Sequence, residues 1–91
     1  MSVRRLHVIV RGRVQGVYFR DYTRRQAQAL AVRGWVRNMP DRSVEAMIEG
    51  EAGSVEAMLD WLHTGSPMST VTAVEAVEEE ARGEQGFVIR Y

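Results

Sequence analysis

In Arg5-Leu6-His7-Val8-Ile9-Val10-Arg11, the positions Leu6, Val8 and Val10 fall on one face by strict alternation, the pattern of a strand covered on one side. Gly12 ends it, and a loop follows to about Tyr18. Residues 19–32 contain neither Gly nor Pro and place Phe19, Tyr22 or Thr23, Ala27 and Leu30 at helical spacing, so a helix is predicted, with Gly34 as its C-cap. Trp35-Val36-Arg37-Asn38 and Val44-Glu45-Ala46-Met47-Ile48-Glu49 then read as a hairpin turning through Met39-Pro40-Asp41-Arg42.

Ser54 is placed to cap a second helix, in which Val55, Met58, Leu59 and Leu62 follow the i, i+3, i+4, i+7 spacing of a buried stripe. Gly65 and Pro67 stop it. A strand is predicted over 71–77, and a final one over 87–91 alternates Phe87, Ile89 and Tyr91. The short run Glu78-Glu79-Glu80 reads as a solvated strand end. This order is β-α-β-β-α-β with one extra short strand. It predicts an α+β sandwich, two helices on one face of a mostly antiparallel five-stranded sheet, the split βαβ or ferredoxin-like arrangement.

With 91 residues, a single domain spanning 1–91 around one core is expected. No apolar run approaches the roughly 18 residues of a membrane span. Met1-Ser2-Val3-Arg4-Arg5 lacks a long apolar stretch with a cleavage site, so a cytoplasmic protein without a membrane partner is expected. The absence of cysteine removes disulfides, thiolate nucleophiles and cysteine metal sites, and fits a reducing compartment.

All 12 cationic side chains are arginine. The lack of lysine removes Schiff-base chemistry and the lysine of a nucleotide P-loop, so any anion bound by a side chain meets guanidinium. The balance of 12 cations against 12 acids hides an asymmetry: residues 1–42 hold ten Arg and two Asp (+8), residues 43–91 two Arg and ten acids (−8). The first half offers a home for an anion.

The loop before the first helix is the place to seek one, because glycines let backbone N–H groups converge and a helix N-terminus has unpaired N–H groups at its positive end. An ordinary tight connection has the same composition. Arg20 sharpens the picture, since a cation in the first turn opposes the helix dipole by about 0.3–1 kcal/mol unless an anion lies between them. Asn38, at the end of its strand, is either a turn-initiating amide or the holder of a water. His7 and His63 lie outside both segments and read as structural or surface residues.

Taken together, Gly12-Arg13-Val14-Gln15-Gly16-Val17-Tyr18-Phe19-Arg20 and Gly34-Trp35-Val36-Arg37-Asn38 closely resemble the two signature motifs of the acylphosphatases. The resemblance covers nearly the whole chain, including the spacing of both helices and the Gly65-Ser66-Pro67 break. It implies an α/β sandwich with a five-stranded sheet and hydrolysis of the carboxyl–phosphate bond of small acyl phosphates, without metal or cofactor. It also implies Arg20 and Asn38 as catalytic residues and 12–20 as the phosphate-binding loop. One departure concerns Arg42, where the family usually has glycine; if the turn keeps a left-handed residue there, arginine bears backbone strain.

The implied chemistry agrees with what the chain lacks. A carboxylate leaves without protonation, no cysteine is present to be phosphorylated, and no carboxylate cluster marks a metal site. Water is then the nucleophile, oriented by Asn38, while the loop and Arg20 bind the phosphoryl oxygens, and a substrate phosphate oxygen takes the proton. Expected partners are small acyl phosphates, with inorganic phosphate or sulfate at the loop, no nucleic acid, and a monomeric state.

Two alternatives stand beside this: a module that binds an anion without turnover, and an RNA-binding module on the same fold. The second meets the objection that RNA recognition on such sheets uses aromatics on the central strands. Leu6-His7-Val8-Ile9-Val10 has none, and Trp35 stands alone.

Overall fold

The computed structural model describes residues 2–91. Its elements are β1 (Val3–Arg13), α1 (Phe19–Ala29), β2 (Arg33–Asn38), β3 (Val44–Glu51), α2 (Ala52–Thr64), β4 (Thr70–Glu79) and β5 (Phe87–Arg90). The strands form one sheet in the order β4-β1-β3-β2-β5. All neighbours are antiparallel except β2 and β5, which run parallel, so the sheet is mixed at that edge.

Register decides which face each residue joins. Leu6 faces Ile48, Val8 faces Ala46 and Val10 faces Val44, and all six are buried under the helices. The helices complete the core with Phe19, Thr23 and Ala27 from α1 and Val55, Met58 and Leu62 from α2. Burying each large aliphatic or aromatic side chain contributes about 1.5–3 kcal/mol, which explains why the alternating and 3.6-residue patterns together select this two-layer packing. Phe19 also lies 5.9 Å from Trp61, ring centre to ring centre, joining the two helices. Among the described residues, no helix is long and apolar enough to cross a membrane.

The helix ends differ from the expectation at two points. Gly34 does not cap α1. Val32 N–H donates to Ala27 O at 2.8 Å and Ala31 N–H to Gln28 O at 3.3 Å, with Ala31 at φ 58°, so Ala31 makes the left-handed closure. Gly34 lies inside β2 instead, at φ 140°, where a Cβ would stand 1.8 Å from Met47 O. Ser54 does not cap α2 either, because β3 stays paired as far as Glu51 and the helix starts at once at Ala52, whose N–H donates to Ser2 O. Strand boundaries extend beyond the expected ones, with β1 continuing through a bulge at Arg11/Gly12 to Arg13.

Candidate active site

The segment 14–18 joins β1 to α1, and its conformation follows from what each residue anchors. Val14 and Val17 are buried apolar pegs. Gly16 at φ 74° and Tyr18 at φ 60° supply left-handed turns, the second at the N-cap of α1 without a side-chain cap. The Val17 carbonyl accepts a hydrogen bond from the buried Ser66 Oγ at 2.9 Å. Thr23 Oγ donates to Phe19 O at 2.7 Å, pinning the first turn of the helix.

This curvature leaves donors free. Tyr22 N–H makes the first helical bond, to Tyr18 O at 3.1 Å. Among the described residues, no protein acceptor takes the backbone N–H groups from Gln15 to Asp21. Unpaired N–H groups at the positive end of a helix are the makings of an anion cradle.

Asn38 reaches the same place from the sheet. It pairs with Val44, which pairs on its other side with Val10, so Asn38 stands in the row of the sheet just before β1 runs into the loop. Its Oδ1 is buried and, among the described residues, has no hydrogen-bond partner. Leaving such an acceptor unsatisfied costs about 1–3 kcal/mol, so the Asn38 amide calls for a donor.

A cavity of about 490 Å³ brings these residues together, with Val14, Gly16, Tyr18, Phe19, Arg20 and Asn38 in its wall. The guanidinium of Arg20 lies 4.9 Å from the centre of the Tyr91 ring. Among the described residues no carboxylate comes within ion-pair distance of Arg20. Its charge is therefore available to a ligand.

Other residues of the expected loop lie elsewhere. Gly12 and Arg13 belong to β1, paired with Val71 and Thr70, and Gly12 borders a separate small hollow with Arg11 and Arg42. The side chains of Gln15 and Val17 are tied into the protein and are absent from the cavity wall. The wall also includes Asp21, Arg24, Ile89 and Tyr91, none of them a site residue expected from the sequence. Arg24 follows Arg20 by one helical turn, a spacing that was available as a signal. Ile89 lies in β5 and Tyr91 directly follows it, far along the chain, and their sequence context carries no such signal.

Among the described residues, no group of three or more His, Asp or Glu side chains stands close enough to hold a metal ion. His7 Nε2 lies 2.6 Å from Glu45 Oε2 on the open face of the sheet, and His63 Nδ1 lies 2.9 Å from Leu59 O, so neither histidine reaches the cavity.

The acylphosphatase family model matches residues 6–89. An acylphosphatase of Rubrobacter xylanophilus is 53% identical over 98% of this chain and 82% of its own length. That of Haloarcula marismortui is 50% identical over the whole of both chains. The crystal structure of acylphosphatase from Bacillus subtilis superposes with a TM-score of 0.94, at 34% identity, covering 99% of this chain and all of the other. With the family model spanning almost the whole chain and half the residues shared with these relatives, the protein belongs to the acylphosphatase family.

Proposed function

We propose that the chain hydrolyses the carboxyl–phosphate bond of small acyl phosphates, with Arg20 and Asn38 as its catalytic residues. The observation that supports the residue assignment is that one cavity is walled by Gly16, Tyr18 and Phe19, whose N–H groups have no protein acceptor among the described residues, by Arg20, which has no ion pair among them, and by Asn38, whose Oδ1 has no partner among them. The loop N–H groups around Gly16 and Phe19, with Arg20, hold the phosphoryl oxygens, Arg in the planar two-donor geometry that suits phosphate.

Asn38 Oδ1 accepts a hydrogen bond from water and turns the water's lone pair toward phosphorus. The new O–P bond forms as the P–O bond to the acyl group breaks, and the electron pair leaves with the carboxylate. The conjugate acid of such a group has a pKa of about 4, so no general acid is required. One water proton passes to a phosphoryl oxygen. Catalysis is then positioning plus electrostatic stabilisation.

We read the protein further as a single cytoplasmic domain over 1–91 that acts as a monomer. Both helices share one core, and the lack of cysteine fits a reducing compartment. Nucleic acid is disfavoured as a partner, because Trp35 lies beneath the Arg90 guanidinium, 4.5 Å from its ring centre, and is itself buried. The same cavity accepts inorganic phosphate or sulfate.

The test is hydrolysis of acetyl phosphate in the presence of chelator by the parent and by Asn38→Ala. Turnover by the parent and its collapse in the folded variant are expected. Parental turnover in Asn38→Ala would remove the water-orienting role.

A further inference from the structure

The loop and the strand end that carries Asn38 come from distant parts of the chain, and one side chain joins them. Gln15 Nε2 donates to Met39 O and to Ser43 O, each at 2.9 Å. Those two carbonyls close the turn after β2: Met39 N–H donates to Ser43 O at 2.9 Å and Arg42 N–H to Met39 O at 3.1 Å. Asp41 stiffens the same turn by accepting from Ser43 N–H at 3.0 Å and from Ser43 Oγ.

Gln15 is flanked by Val14 and Gly16, which line the cavity, and Met39 follows Asn38 directly. Among the described residues, the two bonds from Gln15 are the only hydrogen bonds between segment 14–18 and turn 38–43. The other tie of the loop, from Val17 to Ser66, runs to the segment after α2.

We infer that Gln15 is a positioning residue: its amide sets the water held by Asn38 in line with the phosphorus held by the loop, while its side chain touches neither. The inference rests on the roles proposed above for Asn38 and the loop. The residue type fits the task. A side-chain amide carries two N–H donors for two carbonyl acceptors, and the two carbonyls dictate which way the amide turns. A carboxylate of the same length has no donor and would face two carbonyl oxygens.

Gln15→Met keeps the length and removes both donors. Because an in-line geometry lost by about 1 Å can cost on the order of a hundredfold, kcat should fall roughly ten- to a hundredfold. Inhibition by inorganic phosphate should shift by less than about threefold, since the loop N–H groups and Arg20 are retained. The double variant Gln15→Met/Asn38→Ala should be no slower than Asn38→Ala alone, because no held water remains to be misplaced.

Gln15→Glu supplies a second readout. Protonation restores one O–H donor, so its activity relative to the parent should rise as pH falls, while that of Gln15→Met stays level. Parental kcat in folded Gln15→Met, a full multiplicative loss in the double variant, or a level pH ratio for Gln15→Glu would each overturn the inference. Parental turnover in Asn38→Ala would instead strike the water-holding role itself, and the inference with it.

Discussion

The guanidinium of Arg5 lies 2.9 Å from the carboxylate of Glu49, and the two side chains are 2% and 0% exposed. Glu49 also accepts from the backbone N–H groups of Arg82, Gly83 and Glu84 at 2.9, 2.7 and 3.0 Å. One buried carboxylate thus ties the centre of the sheet to the connection between β4 and β5. That connection decides where β5 begins, and β5 delivers Ile89 to the cavity.

Stability should depend on pH through this group. Burial pushes the Glu49 carboxyl up, but hydrogen bonds from Arg82 N–H, the Arg5 guanidinium and the N–H groups of Glu84 and Gly83 outweigh it and bring its pKa down to about 2. The folded value lies below the ordinary 4.5, so the stabilisation is fully present above about pH 4.5 and is lost as pH falls toward 2. It amounts to about 3 kcal/mol. Urea midpoints measured from pH 7 to pH 2 should fall more steeply for the parent than for Glu49→Gln. Parallel curves would contradict the assignment.

Arg20 should not be replaceable by lysine. Arg20→Ala removes the charge and Arg20→Lys removes the planar pair of donors, so both should weaken inorganic phosphate as a competitive inhibitor and lower kcat/KM by about a hundredfold or more. Asn38→Ala should lower kcat by a similar factor while phosphate inhibition persists. Full activity in the lysine variant would mean that a point charge suffices.

Two left-handed glycines should respond differently to alanine. At Gly34, a Cβ would meet the backbone carbonyl of Met47 at 1.8 Å, so Gly34→Ala must push β2 away from β3 and should cost about 3 kcal/mol or more. At Gly16, among the described residues, nothing lies within 4 Å of such a Cβ, and φ is 74°, so Gly16→Ala bears only the backbone cost of about 1–2 kcal/mol. Thermal melts of the two variants separate the effects. Equal losses would refute the steric argument at Gly34.

Arg42 does adopt the left-handed conformation, at φ 75°, in the turn that follows Asn38. Arg42→Gly relieves about 1–2 kcal/mol of backbone strain and gives back about 0.5–1 kcal/mol through the more flexible unfolded chain. A net gain of up to about 1 kcal/mol in urea unfolding is expected. A loss would show that the arginine side chain contributes more than its backbone costs.

Much of the fold was legible because burial leaves a period in the chain. The alternation of Leu6, Val8 and Val10 and the stripe of Val55, Met58 and Leu62 identify faces that the structure buries. The two helix caps that local sequence predicts are absent for a common reason. By local sequence Gly34 is punctuation for the helix before it, whereas the need for glycine there comes from Met47 on the neighbouring strand. Ser54 has the side chain of a cap, whereas the pairing of Glu51 with Val3 fixes where α2 starts.

For the site, the two motifs named Arg20 and Asn38 but not the distance between them. In sequence Gln15 is one more loop residue, and only the folded chain shows its amide spent on the turn beside Asn38. Glu49 looked like the polar end of a strand and is the hub of a buried network.

Residue order alone determined the elements, their buried faces and the chemical groups on offer, because φ/ψ preferences and hydrophobic period act between near neighbours. Tertiary structure decided which carbonyls Gln15 meets, why Gly34 can carry no side chain, and how Ile89 and Tyr91 come to wall the cavity. Those outcomes depend on strand register and crossover, which bring together atoms from separate elements of the chain.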